Sequence, residues 1–375
     1  MAERGWWRLP LLVVAMLALA GGVLGGLARL GWSLPALPGS MVVLHGPLLV
    51  AGFFGTLIGL ERALALGGRW PFAAPLLSGL GGLALLLGLP WPAGPLLISL
   101  GSLALVAVNG AIIRRQAADF TVTMGLGAAA WLAGNLLWLS GRAVPQSALW
   151  WAGFLVLTIA GERLDLSRLR RRPAWARAAF GASAGLLLAG LALAFAAADA
   201  GTRLAGSGLA ALALWLLAFD IAGRTVRQRG LPRYIAGCLL AGYAWLAVSG
   251  GLALALGAVS AGAGYDALLH SLFVGFVFSM IFGHAPIIAP VVTRRSVAFR
   301  PAFYAPLALL HLALLLRVAG DLAGAPPWRL WGGLLNAVAL LLFALLLISA
   351  IGAPVGLATA APPVAGRAGG APPAR

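Results

Sequence analysis

The chain has 375 residues, of which 62% are hydrophobic and only 9% are charged, against about a quarter in soluble domains. A soluble core of this length cannot bury so much apolar surface, so the composition excludes a soluble globular protein, a disordered chain and a nucleic-acid-binding protein. The net charge of +17 comes from 26 basic and 9 acidic residues, and every basic residue is an arginine. Because the arginines fall between apolar runs, we expect them to set membrane topology.

Apolar runs of about 20 residues predict twelve transmembrane helices, since that length spans the hydrocarbon core of a bilayer. Three prolines separate the third run from the fourth, and the sixth run is the shortest. The predicted fold is therefore an all-α, polytopic membrane helical bundle, built as one domain over residues 1–352. A tail rich in Pro, Ala and Gly, residues 353–375, is predicted to be a disordered cytoplasmic end. In chain order the helices are predicted at 10–31, 41–61, 72–90, 94–113, 121–140, 146–161, 177–198, 204–223, 234–259, 266–290, 301–320 and 329–352.

The arginine distribution predicts the orientation of these helices. If the loops alternate and the N-terminus is cytoplasmic, 21 of the 26 basic residues fall on the inside. Such an excess of Arg in cytoplasmic loops is the signature of the positive-inside rule. Both termini are therefore predicted to be cytoplasmic. The five arginines predicted on the outer side are Arg29, Arg142, Arg203, Arg317 and Arg329.

All four histidines lie within predicted helices, where ionisable side chains are costly and usually functional. His45 and His270 each come about five residues after the outer start of a helix, roughly 7 Å below the outer edge. His284 and His311 each lie roughly 14–15 Å from the inner edge. The histidines therefore sort into two pairs at matched depth, and His270 and His284 share one face of their helix.

Paired neutral imidazoles inside a membrane suit three kinds of chemistry. These are ligation of haem, binding of copper or another transition metal, and proton relay. We predict that His45 and His270 bind a haem near the outer side, and that His284 and His311 ligate a second metal or haem. Arg317, at the outer end of its helix, is a candidate partner for a haem propionate.

The remaining polar groups suggest structural roles. Asp220 with Arg224, and Arg317 with Asp321, are four residues apart, which predicts local ion pairs. Asp266 is predicted to cap the helix that carries His270. Small residues predict close helix packing at Gly25-Gly26, Gly55, Gly59 and Gly81-Gly82.

A resemblance to a known family supports the haem and copper prediction. The segment Leu268-Leu269-His270-Ser271-Leu272-Phe273-Val274-Gly275, with Met280 and Gly283-His284 after it, resembles the NnrS family, as do His45-Gly46-Pro47 and Leu316-Arg317-Val318. The resemblance implies a divergent relative of bacterial inner-membrane proteins linked to nitric oxide stress, which carry haem and copper. It also implies membrane lipid and respiratory or nitric-oxide-metabolising complexes as partners.

A looser similarity is to the main subunits of haem–copper oxidases, which have twelve helices and hold a haem between histidines of helices 2 and 10. Helices 6 and 7 of this chain contain no His, so the copper site of those enzymes cannot be built. Two other functions remain open: a proton-coupled transporter that uses intramembrane His and acidic residues, and a scaffold for a respiratory complex. Whether the chain is an enzyme also stays open.

Overall fold

The computed structural model describes residues 8–34, 39–167, 173–293 and 295–354, and within them the chain is almost entirely helical. In these ranges, eleven helices are long and apolar enough to cross a membrane. A further helix, Ala73–Leu86, follows a 3₁₀ turn at Trp70–Phe72 and is shorter. The helices are α1 (Leu9–Leu30), α2 (Met41–Leu66), α3 (Ala73–Leu86), α4 (Ala93–Arg115), α5 (Asp119–Leu139), α6 (Val144–Leu166), α7 (Ala174–Leu193), α8 (Ala198–Phe219), α9 (Leu231–Leu256), α10 (Gly262–Val291), α11 (Tyr304–Leu322) and α12 (Pro326–Ser349).

The shorter elements lie near the ends of the bundle. A single helical turn, Ala222–Thr225, links α8 to α9, and a 3₁₀ turn at Pro301–Phe303 leads into α11. Strands β1 (Arg295–Val297) and β2 (Ile351–Pro354) pair in antiparallel fashion. Strand β2 reaches the first residues of the segment predicted to be a disordered tail, and residues 355–375 lie outside the described residues.

The predicted membrane bundle is confirmed, and several of its helices differ in length from the expectation, α3 and α6 among them. Helix α3 ends at Leu86 rather than at 90, because Gly88 adopts a left-handed φ of 65° that stops the helix. The sixth helix was predicted to be the shortest, yet α6 has 23 residues and is the most deeply buried. Its interior position explains its low hydropathy, because the polar residues at its end pair with other helices.

One buried apolar cluster contains residues from all twelve helices. Glycines allow the helix backbones to approach closely within it at the predicted positions, except at Gly26, where an added Cβ would meet one atom at 3.8 Å. A Cβ atom on Gly55 would lie 2.4 Å from the Trp131 ring, and one on Gly59 would lie 3.0 Å from the Pro75 nitrogen. A Cβ on Gly25 would lie 2.4 Å from the carbonyl oxygen of Met41. This last contact fixes α1 against the segment of α2 that carries His45.

Candidate functional site

A cavity of about 750 Å³ lies at one end of the bundle, and both His45 and His270 line it. Its volume is in the range of cofactor-binding cavities. The end is defined by the α1–α2, α5–α6, α9–α10 and α11–α12 connections, whose neighbouring residues also line the cavity. We call it the cavity end. The prediction that His45 and His270 lie at matched depth is therefore consistent with a shared site.

The rings of His45 and His270 each contact a backbone carbonyl of the preceding helical turn. The Nδ1 atom of His45 lies 3.1 Å from the carbonyl oxygen of Val42, and that of His270 lies 2.8 Å from the carbonyl oxygen of Asp266. A carbonyl can only accept, so each Nδ1 carries the hydrogen and each Nε2 keeps a free lone pair. No described residue hydrogen-bonds to either Nε2. This arrangement is typical of histidine ligands, whose second nitrogen is fixed by a neighbouring acceptor.

An ion pair between helices supports His270. Arg317 on α11 donates two hydrogen bonds, of 2.7 and 2.8 Å, to the carboxylate of Asp266 on α10. The same carboxylate lies 3.3 Å from His270 Nδ1. Bidentate pairs of this kind fix both partners in orientation as well as in distance. Asp266 thus joins Arg317 to the imidazole. The prediction that Asp266 caps this helix is wrong, because the N-cap residue is Ala261 and Asp266 lies in the second helical turn.

Asp321 is a further charged group at the cavity end. Its side chain is fully buried and lies 3.8 Å from Arg329 on α12, beside the Asp266 carboxyl. The predicted local pair between Arg317 and Asp321 is wrong, because Arg317 is engaged by Asp266. Burial removes the screening by water, so charges in the bundle pair across helices where the geometry is better.

The segments that follow the two histidines are unusual. Leu48–Gly55 on α2 and Ser271–Phe278 on α10 are both π-helical, and each has eight residues. Such segments are rare and are frequent at functional sites. They read LLVAGFFG and SLFVGFVF, sharing Leu at the second position, Gly at the fifth and Phe at the sixth. The π-helical backbone of these segments was not predicted from the sequence.

Aromatic rings from the two π-helical segments meet below the histidines. The Phe53 and Phe278 rings stack with centroids 6.3 Å apart, and the Phe54 and Phe278 rings lie 5.4 Å apart. Phe54, Phe273 and Phe278 line the cavity. The cavity therefore has an aromatic wall from both helices that carry its histidines.

His284 and His311 lie outside the cavity lining, and their ring nitrogens differ. His284 Nδ1 is 2.7 Å from the Met280 carbonyl oxygen, while its Nε2 is buried without a partner among the described residues. His311 has partners at both nitrogens: Trp245 donates to Nδ1 at 3.1 Å, and Ser279 lies 3.3 Å from Nε2. No described hydrogen bond joins the two histidines, and no three His, Cys, Asp or Glu residues of the described ranges form a metal-binding group.

A second polar cluster is formed by charged residues of α2, of α6 and of the connection that follows α8. Arg163 on α6 donates two hydrogen bonds, of 3.0 and 3.1 Å, to Asp220 after α8, and both side chains are almost fully buried. The predicted local pair of Asp220 with Arg224 is therefore wrong. Nearby, Arg62 lies between Glu61 at 2.7 Å and Glu162 at 3.4 Å.

The fold and the cavity together define a polytopic helical membrane protein with a histidine-lined cavity inside the bundle. The chain belongs to the family described as Domain of unknown function (DUF8744), whose model matches residues 8–351. No curated protein matches the chain, and no solved structure does.

Proposed function

We propose that the protein binds haem in the cavity, where His45 and His270 would hold it. The observation that carries the proposal is that both imidazoles line one cavity of about 750 Å³ and both keep Nε2 free. The chemistry of the donors suits haem iron, which is commonly bound by neutral imidazole nitrogens.

The remaining lining also fits a porphyrin. Phe54, Phe273 and Phe278 offer aromatic and apolar surface, and arginines lie at the cavity end, where carboxylate groups would be held. When bound there, haem would supply one-electron chemistry. The chain's own residues hold the imidazoles in place: Arg317 orients Asp266, and Asp266 lies against His270.

The biological role that we propose is electron transfer or nitric oxide handling in the bacterial inner membrane, with both termini cytoplasmic. It rests on the resemblance of the His45, His270 and His284 segments to the NnrS family. Respiratory or nitric-oxide-metabolising complexes are the proposed partners. Copper is the proposed second metal, with His284 and His311 as its predicted ligands. The free, buried Nε2 of His284 supports a ligand role, whereas His311 would have to release Trp245 or Ser279.

The test is the absorption spectrum of the detergent-purified protein, oxidised and reduced, with metal analysis of the same sample. We expect a Soret band that sharpens on reduction. It should be lost in His45→Ala and His270→Ala and retained in His284→Ala, which lies outside the cavity. A colourless protein from haem-replete cells, or an unchanged spectrum in His270→Ala, contradicts the assignment.

The second polar cluster favours one alternative, a proton-coupled transporter. Two glutamates share Arg62, and a buried Arg163–Asp220 pair lies close by, as in proton pathways through membranes. A transporter should purify colourless and show substrate uptake into vesicles that depends on an imposed pH gradient. Glu162→Gln should then abolish uptake while leaving the helical content unchanged.

A further inference from the structure

The arginines at the cavity end are concentrated around the cavity. Only five arginines are predicted on that side of the membrane, as expected for a side that is depleted of positive charge. Four of the five line the cavity: Arg29, Arg142, Arg317 and Arg329. The fifth, Arg203, lies elsewhere and pairs with Asp199 at 2.8 Å. Membrane topology alone does not explain why four of the arginines predicted on this side line one cavity.

Two of the four cavity arginines face carboxylates of the chain, and two do not. Arg317 forms the bidentate pair with Asp266, and Arg329 lies 3.8 Å from Asp321. Arg29 and Arg142 form no ion pair with any described residue, although both line the cavity. The four arginines therefore exceed by two the carboxylates that face them, which are Asp266 in the lining and Asp321 outside it.

We propose that Arg29 and Arg142 bind two carboxylate groups of the molecule that occupies the cavity. The inference rests on the proposed haem function and deepens it, since haem has an apolar body with two propionates along one edge. The cavity matches that distribution: aromatic and apolar surface lies around the histidines, and two unpaired guanidinium groups lie on α1 and at the start of the α5–α6 connection. The Arg317–Asp266 pair then serves to position His270.

Charge complementarity predicts which ligands the cavity prefers. An arginine–carboxylate pair is strongest where little water surrounds it, and at a cavity mouth it is partly screened by salt. We expect each pair to change the dissociation constant by about tenfold. A porphyrin whose carboxylates are blocked should lose both contributions, so it should bind about a hundredfold more weakly than haem.

The experiment compares two probes, haem and haem dimethyl ester, by Soret titration of the haem-depleted, full-length protein in detergent. The variants are Arg29→Gln, Arg142→Gln and the double variant. Arg203→Gln is the matched control, because it removes one arginine from the same end without touching the cavity. Circular dichroism and gel filtration establish that each variant is folded.

We expect the wild type and Arg203→Gln to prefer haem over the ester about a hundredfold, with a preference that falls as salt rises. The double variant should bind the two probes alike. Equal binding of both probes by the wild type overturns the role of Arg29 and Arg142 and leaves the haem proposal standing. Binding of neither probe by the wild type overturns both.

Discussion

The contact of α1 with α2 beside His45 can be tested with two adjacent glycines. A Cβ on Gly25 would lie 2.4 Å from the carbonyl oxygen of Met41 and 3.3 Å from the Cβ of His45. A Cβ on Gly26 would meet a single atom, the Cδ2 of His45, at an ordinary 3.8 Å. Replacing each glycine by alanine adds the same methyl group to the same helix, so the two variants differ in what that group meets.

The two substitutions are expected to change the free energy of unfolding in opposite directions. At Gly25 the methyl group is too close to backbone by at least about 0.6 Å, so α1 and α2 must separate, and overpacking of this kind costs about 1–3 kcal/mol. At Gly26 the alanine is accommodated, and its better helix propensity contributes up to about 1 kcal/mol of stability.

The assay is thermal unfolding of the purified variants in one detergent, together with the haem content of each. We expect Gly25→Ala to unfold at least about 2 °C below Gly26→Ala and to hold less haem, because the shift displaces His45. Equal melting temperatures of the two variants would refute the close contact. Full haem content in a destabilised Gly25→Ala would refute the role of this contact in positioning His45.

Two buried ion pairs yield further predictions. Asp220→Ala leaves Arg163 buried without its partner and should destabilise the protein by about 3–5 kcal/mol, measured by chemical unfolding, whereas an apolar replacement of both residues should recover most of that loss. A double replacement as unstable as Asp220→Ala would contradict this reasoning. Asp266→Ala should free Arg317 and loosen His270, which lowers haem affinity by about tenfold or more in Soret titrations, while Asp266→Asn should retain part of it. Unchanged affinity in Asp266→Ala would show that His270 needs no such support.

Much of the fold could be predicted because a bilayer imposes a length and a composition on each crossing helix. The twelve predicted spans match the helices within a few residues at most ends. The spacing also predicts the depth of His45 and His270, since 1.5 Å per residue places both at one level. In the structure both histidines line one cavity, whereas the haem itself stays a prediction.

The partners of the charged residues could not be predicted from sequence spacing. The rule for residues four apart describes exposed helices in water, whereas Arg317 and Asp220 find partners 51 and 57 residues away on other helices. The π-helical segments were missed for a similar reason. Their backbone widening depends on how α2 and α10 pack, and apolar periodicity carries no mark of it.

The most direct test of the account is chemical rescue of a histidine ligand. His270→Gly should lose the Soret spectrum of the wild type, and added imidazole should restore it, because the vacated space opens into the cavity that His270 lines. The backbone carbonyl of Asp266 should remain to accept a hydrogen bond from the added imidazole. We expect imidazole to restore the spectrum of His270→Gly and to have no effect on the spectrum of His284→Gly. An unaltered haem spectrum in His270→Gly without imidazole would contradict it.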